Sequence, residues 1–255
     1  MAKGIQDKTR QVLRISGADR VKFLQDLVTN DLGRLSDGAV YAALLSPQGK
    51  YLFDFFLIKA GDSILLDVAA DRAAALAQRL TMYRLRADVQ IEMADEKVWR
   101  GLAAFPDGAL ADPRHTSMGW RFYGLQTPVF APLDPAEFTT LRVKYLIPES
   151  GAELVVDDTY ILEAGFERLN GVDFRKGCYV GQEITARMKH KTELKKGLVK
   201  VSVTGDAPPV GTEITADGKT VGTLFTVDNG FGLAHVRFQR AKGEMQAGNT
   251  VLRLA

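Results

Sequence analysis

The chain has 255 residues, 46% of them hydrophobic and 25% charged, a composition that excludes a mostly disordered protein. Its 33 Lys and Arg stand against 31 Asp and Glu, and a net charge of +2 gives no bulk argument for nucleic-acid binding. A single cysteine excludes an internal disulfide, no apolar run is long enough for a membrane span, and residues 1–16 lack the apolar centre of a secretory signal, so a reducing cytoplasm is the expected compartment.

Residues 12–15 read as a short strand. Ser16 and Asp19 stand at capping-box spacing ahead of Val21, Leu24, Leu27 and Val28, and this periodicity predicts an amphipathic helix over 19–29. A strand at 40–45, the turn Ser46-Pro47-Gln48-Gly49 and strands at 51–59 and 64–68 follow. Asp71 is placed to cap a helix whose apolar face carries Ala74, Leu76, Ala77, Leu80 and Tyr83. Residues 89–93 and 98–105 return to extended chain. Residues 106–135 hold five of the nine prolines and read as loops and short edges, before a helix at 137–146. From about Gly197, β-rich runs at 199–203, 213–215, 221–227, 231–236 and 251–254 alternate with Ala207-Pro208-Pro209, Asp217-Gly218 and Asn229-Gly230, which suggests a small antiparallel barrel or sandwich. The whole is an α+β pattern.

Several motifs fail. Gly218-Lys219-Thr220 has Glu213 where a phosphate loop needs glycine, and it lies between strands, as a hairpin turn does. His115, His190 and His235 are scattered without zinc-site spacing, and no resident metal is expected.

The informative segment is 170–187. Cys178 lies between Gly177 and Tyr179, with Arg175 and Lys176 before it and Gly181 after it. Val180, Ile184 and Met188 suggest a helix starting near Cys178, so adjacent cations and a helix N-terminus would both favour a thiolate. A buried structural cysteine in a glycine-bearing turn is the other reading of the same residues. Residues 175–200 carry eight cations (at 175, 176, 187, 189, 191, 195, 196 and 200) against Glu183 and Glu193. That run suits a polyglutamate tail, RNA or an acidic partner, or is a solvated face. Asp54, among Phe53, Phe55 and Phe56, and Glu163, beside Leu162 and Ala164, are each either a hydrogen-bonded structural carboxylate or a ligand-facing one.

Lys176-Gly177-Cys178-Tyr179-Val180-Gly181-Gln182-Glu183 resembles the signature K-G-C-[YF]-x-G-Q-E of the YgfZ family of folate-binding proteins. That family includes mitochondrial iron–sulfur cluster assembly relatives and is similar in fold to the glycine-cleavage T-protein. Residues 17–25 with Thr29-Asn30-Asp31, the stretch from Ser46 to Asp54, Tyr83-Arg84-Leu85-Arg86, Ala111-Asp112-Pro113-Arg114 and Ile147-Pro148-Glu149 agree with the family in order, so the resemblance spans nearly the whole chain. It implies a T-protein-like, two-lobed folate-binding α+β core around a central channel, residues 1–195, with a small C-terminal antiparallel β-barrel over 196–255. It implies tetrahydrofolate or a folate derivative as cofactor. By this resemblance Glu163 matches the carboxylate that pairs with the pterin N–H donors. Asp54 matches the second of a T-protein aspartate pair whose first position is Phe53 here, a departure that points away from glycine cleavage. Asn30, Tyr83, Gly177, Gln182 and Arg187 complete the expected folate set, and Cys178, kept ionised by Lys176 and Arg175, is the expected reactive centre. The implied function is an accessory factor, monomeric and without a membrane, that supports assembly or repair of iron–sulfur clusters in client enzymes. Those clients include tRNA-methylthiolating enzymes, and the basic run gives a weak RNA contact. The alternative is a folate-dependent aminomethyl or one-carbon transferase of the T-protein type, with Asp54 as acid–base group.

Overall fold

The computed structural model describes residues 1–191 and 193–255, with Lys191 described by its backbone alone. The chain divides into two compact units, Met1–Pro135 with Glu167–Gln182, and Ala136–Phe166 with Glu183–Ala255.

The first unit contains strands β1 (Ala2–Gln6), β2 (Arg10–Ser16), β3 (Val40–Leu45), β4 (Tyr51–Ala60), β5 (Ser63–Ala69), β6 (Gln90–Met93), β7 (Lys97–Ala103), β8 (Leu110–Ala111), β9 (Trp120–Gly124) and β10 (Ala131–Pro132), with helices α1 (Arg20–Gln25) and α2 (Ala73–Arg84). They form two five-stranded sheets, in the orders β3-β4-β5-β2-β6 and β10-β1-β7-β9-β8. Alternation along β3, β4 and β5 sends Ala42, Leu44, Phe53, Phe55, Leu66 and Val68 to one face, where Leu24, Leu76 and Leu80 of the two helices cover them. Tyr41, Asp54, Phe56 and Asp67 therefore occupy the other face, and they too are buried.

The helix expected over 19–29 is real but short. Ser16 stays in β2, and Asp19 turns its carboxylate to the Asp88 N–H, 2.8 Å away, instead of capping α1. After Gln25 the chain turns because tertiary partners outbid helix propagation: Val28 bridges Leu44, and the Thr29 hydroxyl donates to the Gly171 carbonyl at 2.6 Å. Asp71 falls in a 3₁₀ turn and does not cap α2, whose buried alanine is Ala73 rather than Ala74. Strands β1 and β9 are additions to the sequence reading, as is the strand at Met245–Ala247 in the second unit.

The second unit contains α3 (Ala136–Tyr145), most of α4 (Gln182–Lys191), and strands β11 (Lys196–Thr204), β12 (Thr212–Ala216), β13 (Lys219–Asp228), β14 (Phe231–Arg237), β15 (Met245–Ala247) and β16 (Thr250–Leu254). The strands close into a barrel in the order β11-β14-β13-β12-β15-β16, so of the two all-β forms the sequence left open, the barrel is the one realised. Val201, Ile214, Val221, Leu224, Val236 and Leu252 fill it. The α+β class holds. No helix among the described residues is long and apolar enough to cross a membrane.

Candidate functional site

The signature segment is a loop pinned from within and open at its tip. Asp173 accepts from Arg175 N at 2.7 Å, and its other oxygen meets Arg34 at 2.8 Å. Asn30 donates to the Tyr41 carbonyl at 2.8 Å and to the Asn170 carbonyl at 2.7 Å, while its own side-chain oxygen accepts from Asp31 N. Lys176 is buried, and its Nζ donates to the carbonyls of Gln25 (2.6 Å), Val28 (2.6 Å) and Asn30 (3.1 Å). Those are carbonyls left over where α1 ends, so one ammonium caps the turn and ties the loop to it. Tyr179 is buried as well, with the same Nζ 5.3 Å from its ring. Between these two anchors, Gly177 and Cys178 are exposed.

Two expectations change here. Helix α4 begins at Gln182, four residues beyond Cys178, so the thiol does not sit on a helix N-terminus. The ammonium of Lys176 is directed at backbone carbonyls, which gives it an anchoring task in place of holding a thiolate. Burial pulls its pKa down to about 8, with Asp31, Asp26 and Asp173 pulling the other way, so it remains mainly charged at neutral pH. Arg175, by contrast, is exposed.

Asp54 lies at 2% exposure on the far face of β4 from the helices. The Tyr51 hydroxyl donates to its Oδ1 at 2.8 Å and the Tyr41 hydroxyl to its Oδ2 at 3.0 Å. Burial, and after it the charge of Asp54, hold the Tyr41 hydroxyl well above the usual tyrosine range, so it acts as a neutral donor. Of the two readings left open for Asp54, the hydrogen-bonded structural one is what this geometry shows. Tyr83, on α2, packs against the core of the opposite sheet face, so the structure does not bring it together with Asp54.

Beside Asp54 stands a buried charge network that sequence reasoning missed. Asp67, fully buried, takes Arg10 Nε at 2.6 Å, Arg121 Nη1 at 2.7 Å and the Tyr123 hydroxyl at 2.9 Å. Arg121 continues to Asp112 at 3.2 Å, and Arg114 grips Asp112 with Nε at 3.0 Å and Nη2 at 2.8 Å. The Phe56 ring lies under the guanidinium groups of Arg10, Arg114 and Arg121, at 5.5, 4.9 and 3.7 Å. Paired and stacked in this way, buried charges are tolerable. The available signal was arginine at inward strand positions, as in Trp120-Arg121-Phe122, and the Ala111-Asp112-Pro113-Arg114 run.

Glu163 and Arg187 belong to the second unit. The Glu163 backbone carbonyl accepts from Leu198 N at 2.8 Å, an approach open because residue 197 is glycine: a Cβ there would lie 3.2 Å from that carbonyl and 2.9 Å from the Phe238 ring. The buried carboxylate turns Oε2 to His235 Nε2 at 3.2 Å and to Lys196 Nζ at 3.4 Å, and Oε1 has no partner among the described residues. Two clefts meet at this pair, since Glu163 and Lys196 line both. One, of about 250 Å³, also has Asp158, Thr159, Thr223 and His235 in its wall. The other, of about 380 Å³, is walled by Met188 and Leu194 and rimmed by Lys195, Arg237 and Arg240. Met188 rather than Arg187 lines it, and Arg187 is exposed. Nothing in the sequence pairs His235 with Glu163, because the pairing depends on barrel register.

The structure thus gathers Asn30, Lys176, Gly177, Cys178 and Gln182 at one loop, where the Gln182 amide is 3.4 Å from the Gly177 carbonyl. The basic run is less uniform than its composition: Lys176 is turned inward, Lys196 pairs with Glu163, and Lys200 stacks on Phe231 at 5.2 Å. The Lys191 side chain lies outside the described residues.

Residues 195–255 match the family model described as the CAF17 C-terminal beta-barrel domain. The chain is similar to the mitochondrial iron–sulfur cluster assembly factor IBA57 of Homo sapiens, at 32% identity over 92% of this chain and 78% of that protein. It is 30% identical to the Mus musculus protein of the same name, with the same coverage. Among solved structures, the aminomethyltransferase T of the Bartonella henselae glycine cleavage system superposes with a TM-score of 0.73 over 98% of this chain and 84% of that one. At 12% identity that likeness shows the fold alone, which is the T-protein-like fold expected from the signature. The two relatives carry the assembly-factor name and not the YgfZ one, whose family is the bacterial counterpart. Their names place them in mitochondria, so the expected cytoplasmic placement finds no support in them.

Proposed function

This chain belongs to the IBA57 family of iron–sulfur cluster assembly factors, and on that premise we propose that it supports cluster assembly or repair in client enzymes through the thiol of Cys178. The observation that carries the reading is the loop: Lys176 and Tyr179 are buried anchors, and the cysteine between them is exposed. A thiol in that setting reaches a partner without unfolding anything, and its position is fixed in advance. Cys178 either exchanges with a client disulfide, its thiolate bonding to one sulfur and releasing the other as a thiolate, or transiently ligates iron of the cluster, which is cargo. No group of three His, Cys, Asp or Glu among the described residues is placed to hold a metal ion, so iron at Cys178 takes its remaining ligands from the client. The proposed clients are [4Fe–4S] enzymes, those that methylthiolate tRNA included.

The same proposal includes tetrahydrofolate, and the residues of the second unit fit it. Glu163 Oε1 is available as a carboxylate acceptor for the N–H donors of a pterin, and the larger of the two clefts, about 380 Å³, has the size and mixed lining of a small-molecule site. Asn30 and Asp54 are committed to internal partners and stay out of the proposed set. No observation favours the one-carbon transferase, whose acid–base group would be the twice-bonded, buried Asp54. RNA stays outside the proposal: of the eight cations of the run, Lys176 is turned onto backbone carbonyls, Lys196 pairs with Glu163 and Lys200 lies over Phe231.

The test is complementation. In cells lacking the endogenous factor, Cys178→Ser accumulates as a folded protein and fails to restore [4Fe–4S] enzyme activity. Full rescue by the serine variant overturns the proposal.

A further inference from the structure

The cleft rimmed by Lys195, Arg237 and Arg240 has an imbalance of charge that the pairing of Glu163 with Lys196 and His235 does not relieve. Its wall carries four cations, Lys195, Lys196, Arg237 and Arg240, against Glu163 and Glu193. Lys196 is held at Glu163, and Lys195, Arg237 and Arg240 have no carboxylate partner among the described residues. Unpaired cations gathered on one opening repel one another, and an anion placed among them removes that repulsion. The second cleft has the opposite texture: carboxylates, hydroxyls and an imidazole, with Glu163 and Lys196 shared between the two. A ligand lying across Glu163 therefore meets hydrogen-bonding groups on one side and an excess of positive charge on the other.

We infer that Lys195, Arg237 and Arg240 form a receptor for a chain of carboxylates, the oligo-γ-glutamate tail of a folate whose pterin end is held at Glu163. The inference rests on the folate reading given above and adds a selectivity to it. Each γ-linked glutamate brings one further carboxylate, and three solvent-exposed cations can each meet one. Met188 and Leu194 supply the apolar wall past which the uncharged middle of such a ligand runs. The selectivity is electrostatic and exposed, so it weakens with salt.

Binding is measured by calorimetric titration of tetrahydrofolate carrying one or five glutamates, and of the free γ-pentaglutamate peptide, at low and high salt. The pentaglutamate form binds the native protein about tenfold more tightly than the monoglutamate form, as about three exposed pairs of two- to threefold each give. High salt shrinks that ratio to under twofold, and so does the combined Lys195→Gln, Arg237→Gln, Arg240→Gln variant. Unchanged thermal melting of that variant shows it is folded. Equal affinity of the two folates for the native protein at low salt overturns the inference and leaves the folate reading standing. Folates that bind no better than the peptide, with the peptide still salt-sensitive, overturn the folate reading and leave a carboxylate receptor. No binding of any of the three overturns both.

Discussion

Lys176 gathers three backbone carbonyls under one ammonium, and that arrangement makes its substitution a test of the loop rather than of the thiol chemistry. Lys176→Met keeps the aliphatic stem and removes every donor, leaving the carbonyls of Gln25, Val28 and Asn30 without this partner. Buried acceptors stripped of a charged donor cost about 1–3 kcal/mol, and the expected loss of unfolding free energy, read from urea denaturation, is about 3 kcal/mol. Amide exchange over 171–181 rises in the same variant. A functional defect without any loss of stability would return Lys176 to the role of thiolate partner. The sequence could show that a cation stands beside the cysteine. It could not show which way that cation turns, because the three carbonyls that decide the matter lie about 150 residues upstream. Cys178 was legible for the opposite reason, since a lone cysteine inside a specific signature is local information.

Elements with strong periodicity are legible in the sequence, and elements decided by distant partners are not. The hairpin β3–β4 follows from two alternating apolar runs and Ser46-Pro47-Gln48-Gly49, and the barrel strands follow from evenly spaced turn residues. Helix α1 is shorter than its apolar spacing implies, because that spacing continues past Gln25, where the Val28 bridge to Leu44 and the Thr29 bond to Gly171 take over. Helix α4 starts later than the spacing of Val180, Ile184 and Met188 implies, for a related reason. Gly181 holds φ +80°, and a Cβ there would lie 2.6 Å from the Ser46 carbonyl oxygen, so the chain must pass this point before a helix can start. The two glycines of the signature look alike in sequence and differ in the fold. Gly181→Ala is expected to lower stability by about 2 kcal/mol through left-handed strain and the backbone clash. Gly177→Ala, whose Cβ meets nothing within 4 Å, is expected to stay within about 0.5 kcal/mol of the native protein. Thermal melting of the two variants side by side decides this, and equal melting temperatures would contradict it.

For the molecule as a whole, α+β architecture and a terminal barrel could be read from pattern and signature, while the charges buried among the aromatic side chains of the first unit could not. Arg10 and Arg121 reach Asp67 across 57 and 54 residues of sequence, and each alone looks like an ordinary surface residue. The network makes the protein sensitive to acid in a defined window. Burial works against the charge of Asp112, but Arg114 and then Arg121 outweigh it and bring its pKa from 3.8 down to about 2. Asp7 moves down in the same way, burial being overcome chiefly by Arg100. A carboxyl whose folded pKa is depressed stabilises the fold fully above its unfolded value, because the unfolded chain binds the proton more tightly. That stabilisation fades as pH falls from about 4 to about 2 and is gone below the folded value. For Asp112 the shift corresponds to about 2 kcal/mol at neutral pH. The melting temperature of the native protein should therefore hold steady between pH 7 and pH 5 and drop between pH 4 and pH 2. Asp112→Asn lowers the melting temperature at pH 7, since Arg114 and Arg121 lose a charged partner while remaining buried, and it flattens the acid limb, since the group that titrates there is absent. A variant with the native acid limb intact would show that Asp112 is not the residue through which the fold senses acid, and would move that role to Asp7 and its pair with Arg100.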